Sequence, residues 1–422
     1  MTDMAHTAWL SVVGIGEDGM DGLAAASRAA LEDAQLIFGA ERHLELLAPA
    51  LRARAQCWPR PFAAGIERLL AHRGEKVAML ASGDPFCFGA GSVLARELAA
   101  HEWQAFPAPS AFSHAAARLG WALDKTDCCG LHAAPLSRLR PRLAPGRRLL
   151  VLLRDGAAVA ELAAYLSQTG FGASTLHVLE ALAGPRERLR SVPAADFAFE
   201  EVVHPVLAGI EVSVEVSLAE GAAAGAEPGF AQTMPCASGL ADDWFEHDGQ
   251  LSKQPVRALS LAALAPRRGE RLWDIGAGSG SISIEWLLAD EANTAIAFEP
   301  NPARAARIRR NALRLGVDRL QLVEGAAPQV LGGQPLPDAV FIGGGLSATL
   351  LDTLWALLPA GTRIVANAVT LESEALLADW QARVGGSLLR IELAQASALG
   401  SRRGWKAAYP VVQWSVQRSE QQ

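Results

Sequence analysis

This 422-residue sequence has no long apolar run, no block of basic residues and no CxxC pair of cysteines. No stretch approaches roughly eighteen uninterrupted apolar residues, so we expect no membrane-spanning helix. The chain start shows no basic segment before a long apolar run, so no secretory signal is expected. The net charge is −7 and no block of Lys or Arg occurs, which disfavours a nucleic-acid partner.

Cysteine is scarce as well. The five cysteines are an odd number without a CxxC pair, so neither a disulfide framework nor a zinc knuckle is expected. His43 and His101 also lack partners at metal-ligand spacing. We therefore predict reduced thiols, a cytoplasmic protein and no bound metal. The cysteines are Cys57, Cys87, Cys128, Cys129 and Cys236.

Lysine is rare relative to arginine. Only four of the 38 basic residues are Lys. Arginine presents a planar fork suited to carboxylates, so a polycarboxylate ligand is one explanation. A genome-wide nucleotide bias is the alternative, and it would give the same ratio with no functional meaning.

What the sequence does contain is a repeated alternation of apolar strands and amphipathic helices, which predicts a largely parallel α/β architecture. In the first half we predict strands at residues 9–16, 35–40, 76–82, 148–153, 174–179 and 206–212, and helices at 23–34, 89–100 and 157–168. In the second half we predict strands at residues 271–275, 295–299, 320–324, 338–343, 363–369 and 406–416, and a helix at 281–288.

Residues 219–235 interrupt this alternation, and they are rich in Ala, Gly and Pro, which is typical of a flexible linker. We therefore predict a first domain at 1–212, with lobes of about 1–120 and 121–212. A linker at 213–236 and a second domain at 237–422 follow.

The strongest motif is the glycine-rich segment Asp274–Gly280 (DIGAGSG), between a predicted strand and a predicted helix. Gly276, Gly278 and Gly280 permit a sharp turn and a close approach to a ligand. With Ser279, their amides and the helix N-terminus offer hydrogen-bond donors. A dinucleotide fingerprint reads G-x-G-x-x-G. The spacing here fits the loop that binds S-adenosylmethionine (SAM) in seven-strand methyltransferases better than a loop for NAD.

Two carboxylates accompany this loop. Asp274 can face the ammonium group of SAM, and Glu299 ends the next predicted strand, where it can accept hydrogen bonds from both ribose hydroxyls. An NAD-dependent oxidoreductase needs the same acidic residue, so it stays an alternative. A tight strand–helix turn without a ligand is the other alternative.

Several stretches of the chain match known families. In the second half they are 250–258, 272–286, 297–317, 337–345 and 366–372, and through them this half resembles the decarboxylating precorrin methyltransferases of the CbiT type. In the first half they are 12–19, 80–91 and 107–121, and through them this half resembles the tetrapyrrole methylases of the CbiE type. Together the two resemblances cover nearly the whole chain outside the predicted linker.

The resemblance implies a two-lobed tetrapyrrole methylase fold followed by a Rossmann-like seven-strand SAM methyltransferase fold. It also implies SAM-dependent methylation of a tetrapyrrole at carbons 5 and 15 in cobalamin biosynthesis, with loss of carbon dioxide from an acetate side chain. The resemblance implies that the first domain methylates carbon 5, and that the second domain methylates carbon 15 and carries out the decarboxylation. Relatives of both halves self-associate, so a homo-oligomer is expected.

The resemblance also assigns site residues. Cofactor contacts in the first half are expected from Gly14, Gly16, Gly83, Asp84, Pro85, Ser110 and Ala111, although Asp84 also suits a helix cap. Cofactor contacts in the second half are expected from Ser252, Asp274, Gly276, Gly278, Ser279, Gly280, Glu299, Ala326 and Ala327, the last two through their backbones.

In the second half, catalytic roles are expected for Lys253, Arg257 and Asn367, and substrate contacts for Gly343, Gly344, Gly345, Arg402 and Arg403. Gly343, Gly344 and Gly345 would open the acceptor pocket, and Asn367 would face it. Basic side chains would hold substrate carboxylates: Lys253, Arg257, Arg402 and Arg403. Trp244 and Trp405 are candidates for stacking on a macrocycle.

The first loop, Gly14–Asp18, departs from the proline-containing GxGxGD-like loop of tetrapyrrole methylases. An alternative therefore stays open, in which only the second domain is catalytic and the first holds the substrate.

Overall fold

The computed structural model describes residues 8–214 and 233–419. Most of the predicted linker, residues 213–236, lies outside the described residues. The chain divides into two compact units. The N-terminal unit comprises Met1–Ala134 and Ala144–Ala231, and the C-terminal unit comprises Pro135–Leu143 and Gln232–Gln422. Among the described helices, none combines the length and the apolar character that a membrane span requires.

The N-terminal unit begins with a five-stranded parallel sheet of order β3-β2-β4-β1-β5. Its central strands are continuous apolar runs because alternate side chains pack into a separate core on each face. The strands are β1 (Leu10–Ile15), β2 (Leu36–Gly39), β3 (Ala55–Cys57), β4 (Val77–Ser82) and β5 (Trp103–Phe106). The helices are α1 (Ala25–Asp33), α2 (Glu41–Glu45), α3 (Pro49–Arg52), α4 (Phe62–Leu70), α5 (Gly91–Glu97) and α6 (Ala111–Leu119).

A second five-stranded sheet completes this unit, in the order β6-β7-β10-β8-β9. Only β6 and β7 pair in parallel, so the prediction of a largely parallel architecture is wrong for this sheet. A strand that is buried on both faces is an apolar run whether its neighbour is parallel or antiparallel, so the sequence pattern does not indicate the direction of pairing. The elements are β6 (Asp127–Gly130), β7 (Arg148–Leu152), α7 (Ala157–Gln168), β8 (Thr175–Glu180), β9 (Arg188–Pro193) and β10 (Val206–Glu211).

The C-terminal unit contains the predicted seven-stranded sheet, in the order β13-β12-β11-β14-β15-β19-β16. The first five strands in that order are parallel, and β19 pairs antiparallel with β15 and β16. The strands are β11 (Arg271–Ile275), β12 (Thr294–Glu299), β13 (Gln321–Glu324), β14 (Ala339–Ile342), β15 (Arg363–Ala368), β16 (Ser387–Ile391) and β19 (Val411–Gln417). The helices are α8 (Gln254–Leu264), α9 (Ser281–Ala289), α10 (Pro302–Arg314), α11 (Ala348–Leu357) and α12 (Leu371–Val384).

One predicted strand of this unit is wrong. Residues 406–416 form the end of one strand and most of another, because Pro410 has no backbone N–H to continue a ladder. The first is β18 (Arg402–Ala407), which pairs with β17 (Ala394–Leu399) in a hairpin outside the main sheet. The second is β19.

Candidate active site

The glycine-rich loop of the C-terminal unit joins β11 to α9. Gly276, Gly278 and Gly280 have φ angles of +67°, +62° and +77°, which side-chain-bearing residues rarely adopt. A methyl group on Gly276 would also lie 2.7 Å from the backbone of Gly344. The glycines are therefore required both by the turn and by the close approach of the loop after β14.

Two buried carboxylates flank this loop. Oδ2 of Asp274 accepts hydrogen bonds from the backbone nitrogen (3.2 Å) and the hydroxyl (2.6 Å) of Ser283. The oxygens of Glu299 accept from the backbone nitrogens of Gly278 (2.8 Å) and Asn301 (3.0 Å). Burial raises the pKa of Asp274 to about 6, and the charge of Glu299 adds to the shift. A cationic ligand here would stabilise the Asp274 carboxylate.

The loops that follow the neighbouring strands begin at the same sheet edge. Gly325 donates a backbone hydrogen bond of 3.2 Å to Glu299, and Gly343 donates one of 2.9 Å to Ile275. Ala326, Ala327, Gly344 and Gly345 directly follow these anchor points. Ligands of open α/β sheets bind at the carboxyl ends of such strands. The structure thus brings the cofactor candidates at 274–280, 299 and 326–327 together with the acceptor-pocket candidates at 343–345.

The expected role of Arg257 is corrected by its surroundings. Its side chain is fully buried, with Nε 2.5 Å from Glu285 and Nη1 3.2 Å from Asp242. It also donates to the backbone carbonyls of Ser252 and Leu240. A guanidinium engaged on every side by the protein is not available to a substrate carboxylate, so Arg257 holds the start of α8 in place.

Lys253 and Asn367 have different environments. Lys253 precedes α8, and its half-exposed ammonium lies 3.4 Å from Asp242, so it stays a candidate for binding a carboxylate. Asn367 is engaged in a polar cluster. Its amide nitrogen donates to Ser260 (2.9 Å), and its oxygen accepts from Gln413 (3.0 Å). That cluster fixes the Asn367 side chain, so a direct role in catalysis stays a prediction.

The remaining substrate candidates lie on β18 or in the core. Arg402 and Arg403 are exposed on the hairpin, as is Trp405, of which 79% is accessible. Trp244 is only 7% accessible, so it packs in the core of the C-terminal unit and does not offer a face for stacking.

The N-terminal unit contains a cavity of about 430 Å³. Gly16, Gly83, Ser110 and Ala111 line it, so the structure brings four of the predicted cofactor residues together. Ser110 caps α6 by accepting a hydrogen bond of 3.1 Å from the backbone nitrogen of Ser113.

Three other predicted residues shape the loops around this cavity. A side chain on Gly14 would overlap the carbonyl oxygen of Gly83, which accepts a hydrogen bond of 3.2 Å from Ala108. Asp84 accepts a hydrogen bond of 2.8 Å from the backbone nitrogen of Phe86. The carbonyl of Pro85 accepts one of 2.9 Å from Gly91. Gly14, Asp84 and Pro85 therefore act on the backbone, and any direct ligand contact by them stays a prediction.

Sequence reasoning missed three polar residues of the cavity wall. Nε2 of His43 lies 3.0 Å from Oγ of Ser82, and Arg42 donates to the same oxygen. Burial lowers the pKa of His43 to about 3, helped by the charge of Arg42, so the imidazole is neutral. The position of Arg42 and His43, just after a predicted strand, was the available signal. Parallel strands place the residues after their carboxyl ends at one edge.

Two families match the chain, one in each half. The family described as "Tetrapyrrole (Corrin/Porphyrin) Methylases" matches residues 10–198. The family described as "Precorrin methyltransferase domain" matches residues 243–418. The fold and the glycine-rich sites therefore belong to a methyltransferase whose halves both come from methyltransferase families.

Relatives extend over nearly the whole chain. A precorrin-6Y C(5,15)-methyltransferase (decarboxylating) of Sinorhizobium sp is 49% identical over 408 residues, which are 96% of each chain. The protein of the same name from Mycobacterium tuberculosis (strain CDC 1551 / Oshkosh) is 39% identical over 96% of this chain and 98% of its own. A solved C-terminal domain of precorrin-6Y C5,15-methyltransferase from Rhodobacter capsulatus is 56% identical, with a TM-score of 0.43, and covers 44% of this chain and 100% of its own.

This chain belongs to the family of precorrin-6Y C(5,15)-methyltransferases (decarboxylating). It is therefore a methyltransferase of cobalamin biosynthesis, and the NAD-dependent oxidoreductase alternative is wrong.

Proposed function

We propose that both units use SAM to methylate a precorrin, at carbon 5 in the N-terminal unit and at carbon 15 in the C-terminal unit. The C-terminal unit also removes carbon dioxide from an acetate side chain. One observation carries the proposal: Asp274 and Glu299 adjoin the glycine-rich loop at the ends of adjacent parallel strands. Asp274 suits the ammonium group of SAM, and Glu299 suits its ribose hydroxyls.

SAM supplies a methyl group that is already activated on a sulfonium. The chain then has to hold the acceptor carbon in line with that methyl group, and well-oriented reactants gain roughly 7–11 kcal/mol in this way. Rigid strand ends supply this orientation at the loops after β11 and β14. For the decarboxylation, the protein can exclude water from the departing carboxylate and fix its conformation. Lys253, whose side chain is half exposed, is the candidate for holding the other carboxylates, since Arg257 is engaged.

The N-terminal assignment is supported by the cavity of this unit. Gly16 and Gly83 line it, and Arg42, which is paired with Glu17 at 2.8 Å, offers a guanidinium in its wall for a substrate carboxylate. The predicted domain bounds and self-association are retained in this proposal.

Counting methyl groups tests the proposal. The full chain is incubated with a precorrin and SAM carrying a ¹³C-labelled methyl group, and the product is analysed by NMR and mass spectrometry. We expect two labelled methyl groups, at carbons 5 and 15, and one carbon dioxide per macrocycle. A single labelled methyl group would instead mean that the N-terminal unit only holds the substrate.

A variant assigns the carbons. Gly83 has a φ of +54°, and a methyl group on it would lie 2.8 Å from the carbonyl oxygen of Pro109. Gly83→Ala should therefore remove the label from carbon 5 and leave the decarboxylation intact. Loss of the label at carbon 15 alone would reverse the assignment.

A further inference from the structure

The segment Glu246–Ser252 precedes α8 and forms neither helix nor strand. It nevertheless lies against the glycine-rich loop, because a methyl group on Gly278 would be only 3.6 Å from the carbonyl oxygen of Gln250. Without a backbone ladder, the position of this segment depends on its side-chain contacts. We call it the covering segment.

Its centre is tied to α10 by one carboxylate. Oδ2 of Asp248 lies 2.9 Å from Nε of Arg304 and 3.1 Å from Nη1 of Arg307. Oδ1 of Asp248 accepts a hydrogen bond of 3.1 Å from the backbone nitrogen of Gln250, and Arg304 donates one of 2.8 Å to the Gln250 side chain. These hydrogen bonds hold the pKa of Asp248 well below its usual range, so the carboxylate stays charged at any working pH.

Both ends of the covering segment are anchored by buried groups. Asn311, which is fully buried on α10, exchanges hydrogen bonds of 2.9 and 3.0 Å with the backbone of Glu246. The same amide donates a bond of 3.0 Å to the carbonyl of Ser279 in the glycine-rich loop. At the other end, Arg257 holds the carbonyl of Ser252. Between these ends, Arg304 binds the side chains of both Asp248 and Gln250, the residue whose carbonyl lies beside Gly278.

We propose that Asp248, through Arg304 and Arg307, is a positioning residue that fixes the covering segment over the glycine-rich loop and thereby sets the cofactor affinity of the C-terminal unit. This rests on the proposed function, in which that loop binds SAM. An isolated surface ion pair contributes little. Here one carboxylate engages two guanidinium groups and a backbone amide, so the segment is ordered before the cofactor arrives and less entropy is lost on binding.

The test uses Asp248→Asn in the full chain, with the two methyl transfers followed separately by labelled SAM. We expect the KM for SAM to rise about tenfold for one transfer, equivalent to about 1.4 kcal/mol. The kcat of that transfer and the KM of the other should stay unchanged, because the change removes binding common to ground and transition states. Amide hydrogen exchange should become faster in residues 246–252.

A matched pair of Arg→Gln variants on α10 supplies the control. Arg304→Gln removes a contact to the covering segment, whereas Arg309→Gln removes only an exposed ion pair, 2.7 Å long, with Glu324. Arg304→Gln should raise the same KM as Asp248→Asn, and the rise in the double variant should be smaller than the two single effects combined, because the two side chains share one contact. Arg309→Gln should match the wild type.

Two results would overturn the proposal: a wild-type KM in Asp248→Asn, or additive effects in the double variant. The proposed function would fail in a different way. If Gly276→Ala left both methyl transfers intact, the glycine-rich loop would not be the site of either.

Discussion

The two units both bring a glycine-containing turn to the end of a parallel strand, but they surround it with different polar groups. In the N-terminal unit the neighbours are the guanidinium of Arg42, which lies 2.8 Å from the carboxylate of Glu17, and the neutral imidazole of His43. In the C-terminal unit they are the carboxylates of Asp274 and Glu299. The glycines are required by steric contact with the backbone, whereas the charged side chains differ between the two sites.

This difference separates what any tight strand–loop–helix turn requires from what a particular ligand requires. Gly14 and Gly276 have no room for a side chain, whatever occupies the site. Asp274, by contrast, is a buried carboxylate whose desolvation cost is offset in part by the two hydrogen bonds from Ser283, and a cationic ligand would offset more of it.

The largest effect is expected from substituting the glycines in the turns that the two units share. Gly276→Ala would place a methyl group 2.7 Å from Gly344 at a φ of +67°, and Gly14→Ala would overlap Gly83. Each change should lower one methyl transfer at least about a hundredfold, because a misplaced loop loses the orientation of the reactants. Each should spare the other transfer. Product analysis with labelled SAM measures both.

Two other glycines serve as controls that separate backbone strain from steric overlap. Gly269 has a φ of +82° but open space around it, and Gly332 has open space and no positive φ. Gly269→Ala should lower thermal stability slightly through backbone strain, and Gly332→Ala should be neutral. If either control lowered a methyl transfer as much as Gly276→Ala, steric contact with Gly344 would not be the cause.

Asp274→Asn should affect only the C-terminal unit. At pH 8 the loss of the carboxylate should weaken the binding of adenosylhomocysteine to this unit about thirtyfold, near 2 kcal/mol. Isothermal titration of the full chain should show one weakened site and one unchanged site. Wild-type affinity at both sites of the variant would mean that Asp274 does not face the ligand.

The same substitution should stabilise the unliganded protein. The folded pKa of Asp274, about 6, lies above the unfolded value, so its contribution to stability is present below the unfolded pKa and is lost as the pH rises through 6. At pH 8 Asp274→Asn should therefore raise the free energy of unfolding of the C-terminal unit by about 1–3 kcal/mol. Urea unfolding at pH 5 and pH 8 measures the difference, which should be smaller at pH 5.

A smaller effect should appear in the pH dependence of wild-type binding. Below pH 6 a protonated Asp274 no longer attracts an ammonium group, so the affinity of the C-terminal unit should fall up to about tenfold between pH 6 and pH 5. His43 stays neutral down to about pH 3, so it should add no such dependence to the N-terminal unit. If the affinities of the two sites fell equally between pH 6 and pH 5, protonation of Asp274 would not be the cause.

The smallest effect is expected for His43→Gln. A glutamine amide can still reach Ser82 with one polar atom, and no charge is lost because the imidazole is neutral. We expect the methyl transfer of the N-terminal unit to fall only about threefold, near 0.7 kcal/mol. Ser82→Ala, which removes the shared partner of Arg42 and His43, is the comparison. A much larger loss in His43→Gln alone would point to proton transfer by the imidazole.

Local features of the chain were predictable from the sequence. Helix 157–168 and strand 271–275 have the predicted bounds, because each is an uninterrupted periodic or apolar run that ends close to glycine on both sides. The loop Asp274–Gly280 and the partner Glu299 follow from spacing along two consecutive strands. The two halves could likewise be recognised from short contiguous motifs.

Only the tertiary structure decided which polar groups are free to act. In the sequence, Arg257 is a basic residue close to the predicted site. In the structure its guanidinium is buried in an ion pair with Glu285, which lies 28 residues later. His43 and Ser82 are 39 residues apart and meet only because parallel strands end at one edge. Asp248, in a segment without helix or strand, meets Arg304 on α10 across 56 residues. Periodicity reports which residues are apolar along the chain, but the pairing of distant charges depends on how the strands and helices are packed.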